Sequence, residues 1–518
     1  MTRRETAFAG LAIAALSFFG FANPVWHIPL AALALPGGLY CIAVGSPSQY
    51  AAFVRGLLTG GLAYAACLYW VAVPVHDYGL LPWALAAPCP ALLGLAMGGY
   101  AGIFTMLSRL VGQRLPVVLA VLGAGVLWGA LEGLRGILFT GFTWLCLPSA
   151  FVPWPAMVQT ASLIGAQGLA AVLAALACLP AAALMRCDLK RASRMGLCIA
   201  SAGGLVLLWL VGANGPLFPL EELRKVRVAM VQGNIDQSMK WEPAYQRETA
   251  DRYLRAYAIA VKDAETPPEL VIWPETAMPF YFQENSVLSL RVRQMADDLG
   301  VPLLLGSPGY ERDGDELRYY NRAFLLDASG EIADIYDKEH LVPFGEYIPF
   351  SDYLPIDKLV HGVGDFAAGE DSGPLTLPPN GDAEQIRLGL LICYETIFPE
   401  LARKRAVKGS TILVNISNDA WFGRTSAPVQ HLHLSALRAV EQGRTLLRAT
   451  NTGISAVVDP AGRILNATPL FEEATIHAEV ALRNGLTPYG RHGGLVLPAL
   501  VGMGILLVFY AARKKHKA

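Results

Sequence analysis

Between Met1 and Leu220 the chain carries only four acidic residues, Glu5, Asp77, Glu132 and Asp188, in a background rich in Leu, Ala, Gly and Val. So little charge points away from water, and inside hydrocarbon every peptide group must find its hydrogen bond within the chain, which a helix provides. A bilayer core takes about 20 apolar residues per helix. Runs of that kind fall near 7–22, 25–44, 52–73, 82–107, 115–131, 158–184, 196–213 and 494–511, which predicts eight spans. The first two share a short Asn23-Pro24 connection that also fits a re-entrant hairpin. Arg3 and Arg4 also fit the n-region of a cleaved signal peptide.

Lys and Arg near the span ends set orientation. They cluster at Arg3 and Arg4, at Arg109 and Arg114, at Arg186, Lys190, Arg191 and Arg194, and at Arg513, Lys514, Lys515 and Lys517. With eight spans all four clusters share one side, expected to be the cytoplasm, and both termini lie there. The long connection after the seventh span then faces the opposite side. Residues 132–157, with Trp144 and Trp154, read as an interfacial loop on that outer side.

The expected organisation is a membrane domain over 1–215, a globular domain over 216–492, and a last span with a basic tail over 493–518. The middle part, about 280 residues, is long enough to bury a core of its own. Short apolar runs alternate there with helical stretches at 243–262, 286–299 and 427–443. The strands are read in "VRVAMVQG", "ELVIWPE", "VPLLLGS", "NRAFLLD", "EIADIYDK", "IRLGLLICYE", "TILVNISND", "LLRATNTG" and "ISAVVDPAG", a pattern for an α/β or layered α-β sandwich. With a net charge of -1 and no basic stripe, nucleic acid is a poor partner.

Seven cysteines lie in the apolar part, and Cys393 alone belongs to the globular part, within "RLGLLICYETIFPE" at 387–400. An apolar strand that ends in a polar turn can present a sulfur, although a cysteine there also serves as a small core residue. A thiol with a pKa of about 8.5 needs a neighbouring base or cation to act as a nucleophile. Two other strand ends offer them. "ELVIWPETAMPF" places Glu275 after a proline in an apolar wall, where a carboxylate can take and return a proton. "IADIYDKEHLVPFGEYIP" supplies Lys338, able to stabilise a thiolate or an oxyanion, and eight residues later Glu346. Each taken singly also fits a turn acid or a surface lysine. His431 and His433, two apart in "QHLHL", point different ways on a helix and make a poor metal pair.

In that order "WPET", "YDKEHLVPFGEY" and "ICYE" resemble the nitrilase, or carbon-nitrogen hydrolase, superfamily. Combined with seven spans before the domain and one after it, and with "VQGNIDQSMKW" at 231–241, "SNDAWFG" at 417–423 and "TPYGRHG" at 487–493, the whole chain resembles the apolipoprotein N-acyltransferase family. The resemblance implies a polytopic α-helical membrane domain carrying an extracytoplasmic α-β-β-α sandwich of nitrilase type. It implies Cys393 as nucleophile, Glu275 as general base and Lys338 as oxyanion stabiliser, with Glu346, Tyr394, Glu395, Trp421 and Trp241 around the site. It further implies a phospholipid acyl donor, a diacylglyceryl-modified apolipoprotein as acceptor, a thioester intermediate, no cofactor and no metal, and a bacterial inner membrane with the catalytic domain on the periplasmic side. Two other readings remain. One is a membrane-anchored amidase hydrolysing a small amide, and the other a transporter or receptor in which Cys393 is only core.

Overall fold

The structure, a computed structural model, describes residues 1–237, 243–314, 316–348, 366–378 and 384–514. Trp241, Lys515 and Lys517 lie outside the described residues.

Up to Gly212 the described chain is helical, with α1 (Arg3–Gly20), α2 (Ala34–Gly45), α3 (Gln49–Cys67), α4 (Ala72–Asp77), α5 (Trp83–Ala86), α6 (Cys89–Arg114), α7 (Val117–Arg135), α8 (Ala161–Met185) and α9 (Arg191–Gly212). The first helix begins at a capping box, where Thr2 Oγ1 accepts from the Glu5 amide at 3.2 Å and Glu5 Oε2 accepts from the Thr2 amide at 2.8 Å. Helices α3 and α6 meet through small residues, since a Cβ on Gly60 would stand 2.3 Å from that of Ala101 and one on Gly98 2.4 Å from the Leu57 carbonyl. Small residues let two backbones approach closely where no hydrophobic effect drives helices together.

Helices occupy all eight expected positions, counting Val496–Arg513 near the C-terminus. Among the described residues five are long and apolar enough to cross a membrane, or six if Gln49–Cys67 and Tyr69–Asp77, bent by 64°, count as one broken span. The helix Pro29–Gly45 is shorter, and Arg3–Gly20 is not among the five. Expected spans over 25–44 and 52–73 are thus a short helix and a bent pair. The expected interfacial loop needs a correction: α7 runs on to Arg135, and Trp144 is buried against Trp70 and Phe422. Its indole donates to a glutamine of the globular part, so this loop is a contact between the two parts of the chain.

The globular part contains two six-stranded sheets. The first, in the order β12-β1-β2-β3-β4-β5, uses β1 (Glu221–Gln232), β2 (Leu270–Ile272), β3 (Leu303–Asp313), β4 (Glu316–Leu326), β5 (Ile332–Asp337) and β12 (Ala474–Asn484). The second, in the order β11-β10-β9-β8-β7-β6, uses β6 (Leu375–Leu377), β7 (Ile386–Ile392), β8 (Ile412–Ser417), β9 (Leu446–Thr450), β10 (Ala456–Val458) and β11 (Ile464–Ala467). Strands β1, β2 and β3 are parallel, as are β7, β8 and β9. Parallel neighbours need crossovers, supplied by α10 (Pro243–Lys262), α11 (Val287–Leu299), α12 (Pro399–Val407) and α13 (Ala427–Gln442). Two more helices, α14 (Pro488–His492) and α15 (Val496–Arg513), follow β12.

Period-two alternation sorts the strands into layers. Val226, Val228 and Met230 of β1 meet Leu388, Leu390 and Ile392 of β7 in the core between the sheets. Ala229 and Val231 face the other way, toward α10 and α11. Leu391 and Leu413 face a core shared with α13 and the N-terminal helices. One outer helix layer of the α-β-β-α sandwich is therefore exposed, and the other is pressed between a sheet and the apolar helices.

Helix α13 shows what that position demands. Gln430 Oε1 accepts from the Trp70 indole at 3.0 Å and the Trp144 indole at 2.8 Å, and its Nε2 donates to the carbonyls of Ala22 at 2.9 Å and Cys67 at 3.2 Å. One side chain thus ties the sandwich to three helical segments. Gln430→Leu leaves these buried groups without partners, at about 1–3 kcal/mol each, so we expect a clearly lower thermal unfolding midpoint in detergent and faster proteolytic cleavage near the junction.

Candidate active site

Glu275, Lys338 and Cys393 each follow the C-terminal end of a strand, β2, β5 and β7 respectively. The turn carrying Glu275 crosses β3 at Gly306, where a Cβ would stand 2.5 Å from the Thr276 nitrogen and 2.7 Å from Glu275 Cα. Only glycine lets the two backbones pass at that distance. Cys393 is 8% exposed and has φ of 51°, in the left-handed region that a residue with a Cβ seldom adopts. Such strain marks a position held by its surroundings.

Lys338, 1% exposed, donates from Nζ to Glu346 Oε1 at 2.9 Å and lies 3.4 Å from Glu275 Oε1. Burial alone would lower its pKa, but the charges of Glu346 and Glu275 outweigh it and hold the ammonium above its ordinary value. Asn321 Nδ2 donates to both carboxylates, at 2.7 Å to Glu275 and 2.8 Å to Glu346. The second oxygen of Glu275 accepts from the Asn418 amide at 2.8 Å, and that of Glu346 from the Val342 amide at 2.8 Å. The thiol of Cys393 is pushed well up, first by burial and then by the charge of Glu275, while Lys338 pulls the other way. A buried thiol in this setting stays protonated until a base takes its proton, and a fixed ammonium stands ready for negative charge on sulfur or oxygen. That combination suits covalent acyl chemistry.

The other expected residues divide. Glu346 stands within the site. Glu395, fully buried, accepts from the amides of Ile392 at 2.6 Å, Glu339 at 2.6 Å and His340 at 3.0 Å, and from the Tyr336 hydroxyl at 2.9 Å. It binds the turn of the cysteine to the loop that follows the lysine. Burial raises its pKa, against those backbone donors and Arg405. The Tyr394 hydroxyl donates to the Gly141 carbonyl at 3.1 Å, in the loop after α7. Trp421 packs edge-on against Tyr78, centroids 4.6 Å apart, also at the junction with the helices.

Residues 227–485 match the carbon-nitrogen hydrolase family, and residues 13–179 match the apolipoprotein N-acyltransferase N-terminal domain. The chain is similar to apolipoprotein N-acyltransferase of Geobacter metallireducens, at 39% identity over 92% of this chain and 89% of that protein. The same name is carried by relatives from Bordetella bronchiseptica, at 34% over 97% and 95%, and Azotobacter vinelandii, at 35% over 95% and 92%. The chain belongs to the apolipoprotein N-acyltransferase family.

Within this member of the family, sequence reasoning missed Asn321 and the Asn418 amide, which hold Glu275 from two sides. The only sign of the first was a polar residue opening the apolar run "NRAFLLD", and of the second its place within "SNDAWFG". His340 was also missed. Its ring lies 4.0 Å from that of Phe398, and burial, aided by the charge of Lys338, lowers its pKa to about 4 from 6.5.

A histidine whose folded pKa is depressed stays neutral when folded while the unfolded chain takes up a proton below 6.5. Its stabilising contribution is complete above pH 6.5 and is lost as pH falls toward 4. Thermal unfolding midpoints of the wild type should therefore drop more than those of His340→Gln between pH 6.5 and 4. Glu395→Gln, whose NH2 must face either the Ile392 amide or those of Glu339 and His340, should lower both the midpoint and the activity at neutral pH.

Proposed function

We propose that this protein transfers an acyl chain from a membrane phospholipid to the N-terminal amine of a diacylglyceryl-cysteine on an apolipoprotein, through a thioester on Cys393. The observation that carries the reading is the buried ammonium of Lys338 held between Glu275 and Glu346 beside a strained cysteine, in a chain of this family with apolar helices.

Glu275 takes the thiol proton as sulfur attacks the ester carbonyl of the donor. Because burial disfavours a resting thiolate, removal of the proton and attack proceed together. Lys338, with the Tyr394 backbone N–H, holds the oxyanion. Collapse expels the lysophospholipid, whose leaving oxygen takes the proton back from Glu275, and leaves the acyl group on sulfur. The acceptor amine, with a pKa of about 8 and partly neutral near pH 7, then attacks the thioester and Glu275 takes its proton; the carbon–sulfur bond breaks as the amide forms, and Glu275 returns the proton to the Cys393 sulfur. Glu346 keeps Lys338 in place through the cycle, and Trp241 and Trp421 belong to the surroundings of the site.

A thioester survives to meet an amine only where water is scarce. We place residues 1–215 in the bacterial inner membrane as seven spans, 216–492 on the periplasmic side, and 493–518 as the eighth span with its cytoplasmic tail. The four basic clusters on one side support that orientation. A site beside the bilayer admits acyl chains and limits water.

Incubation of purified protein with phospholipid alone should add an acyl mass to the Cys393 peptide, released by hydroxylamine. Cys393→Ala should keep its unfolding midpoint and lose both the adduct and transfer to a diacylglyceryl-cysteine peptide. Full transfer by that variant overturns the nucleophile. A thioester resolved by water at the same rate with and without the peptide amine favours a membrane-anchored amidase instead.

A further inference from the structure

Against the Cys393 peptide lies a buried cluster whose histidine and arginine have no role in the transfer chemistry, and whose Ser417 also hydrogen-bonds the Cys393 thiol. The Cys393 carbonyl is within 3.2 Å of His431 Nε2 and accepts from Asn415 Nδ2 at 3.4 Å. His431, on α13, is fully buried, as are Arg448 on β9 and Asp419 after β8. Arg448 donates to Asp419 Oδ2 at 2.7 Å, and its same nitrogen stands 3.0 Å from His431 Nδ1. Ser417 Oγ donates to Asp419 Oδ1 at 2.9 Å.

The partners fix the tautomer. A carbonyl can only accept, so Nε2 carries the proton; an arginine can only donate, so Nδ1 is bare. The 3.1 Å from Nδ1 to Asp419 Oδ1 is then a contact between two acceptors, tolerated because Arg448 lies against both. Burial, together with the charge of Arg448, favours the neutral ring.

Two features suit this imidazole to more than filling space. Left-handed backbone is costly for a residue with a Cβ, and with φ and ψ both held there the directions of the carbonyl and of the Cα–Cβ bond are set together. Fixing the Cys393 carbonyl therefore fixes the Cα–Cβ bond from which its sulfur swings, and the hydrogen bond with Ser417 limits that swing. The imidazole is itself held from both parts of the chain: Arg448 comes from the sheet, while its ring lies 5.2 Å from that of Trp144, and the preceding residue is the Gln430 that grips the helices.

We propose that His431 is a positioning residue: its Nε2–H holds the Cys393 carbonyl and so keeps the sulfur aimed at Glu275 and Lys338. It touches no reacting atom and acts through the peptide of the nucleophile. The inference rests on the reading of Cys393 as the nucleophile given above.

The test compares His431→Gln with His431→Asn in the full-length protein in detergent. Glutamine places an N–H where Nε2 stood. Asparagine keeps an acceptor for Arg448 but does not reach the Cys393 carbonyl. We expect His431→Asn to slow single-turnover acylation of Cys393 by phospholipid about 10²-fold, the scale of a small misplacement at a reacting centre. The half-saturating phospholipid concentration should stay unchanged, and His431→Gln should recover most of the rate.

Alkylation of Cys393 by iodoacetamide should follow the same order; it reads the thiol without any acyl donor, so a wrong acyl substrate would leave this arm intact. Equal rates for the two variants, losses that track only their unfolding midpoints, or a loss that falls on half-saturation overturn the proposal. If neither variant folds, the wild type still decides. With 15N-histidine and 13C-carbonyl cysteine, the nitrogen correlated with the Cys393 carbonyl must be protonated, and a bare nitrogen there overturns the proposal.

Discussion

An ammonium that is 1% exposed is stable only while its counter-charges are fixed, because removal from water costs several kcal/mol that loose partners do not return. Lys338 meets that condition through a lattice of donors. Asn321 spans Glu275 and Glu346, the Asn418 amide takes the far oxygen of Glu275, and the Val342 amide takes that of Glu346. Each donor comes from a different stretch of chain, so the charge in the middle depends on both sheets being assembled. Loss of the lysine would leave two carboxylates side by side without the cation they share.

The same logic governs the turn that carries Cys393. Glu395 accepts from three backbone amides and a tyrosine hydroxyl, and in doing so clamps the end of β7 to the loop between Lys338 and Glu346. Beyond that turn, Tyr394 reaches the Gly141 carbonyl and Thr143 Oγ1 donates to the Ile397 carbonyl at 2.8 Å. The loop after α7 is in this way part of the wall behind the cysteine. A residue expected near the chemistry can thus also be needed for shape, as Glu395 is, with its carboxylate taken up by three amides and a hydroxyl of the protein itself.

Much of the fold was legible because it rests on periodicity. Strands β1, β2, β3, β4, β5, β7, β8, β9 and β10 and helices α10, α11 and α13 fall where alternation and helical spacing indicate. Strand β11 has all four residues exposed and so shows no inward–outward alternation, and β12, "ATIHAEVALRN", is half polar because it lies at a sheet edge. Glu275, Lys338, Cys393 and Glu346 stood out because each is a reactive type at the end of an apolar run or in a loop beside one. Asn321 and His431 did not, since their roles come from what the other sheet and the apolar helices bring to them. Trp144 looked like a membrane-surface aromatic because sequence shows that an indole is amphipathic but not which donor or acceptor it will meet.

Helix α13 is buried almost throughout, yet it carries Gln430, His431, His433, Arg438, Glu441 and Gln442. Read as a linear pattern it is an ordinary amphipathic helix with a wet face. Here the polar face is dry, because the N-terminal helices cover it and their carbonyls and indoles satisfy part of it. The two parts of the chain are therefore not a reaction vessel bolted to an anchor. Cut away from its helices, the sandwich would open to water an apolar surface together with Gln430 and Glu441, which would lose the partners that the N-terminal part supplies. Neither an enzyme released in soluble form nor one moved onto a foreign anchor would keep the wall on which its cysteine leans.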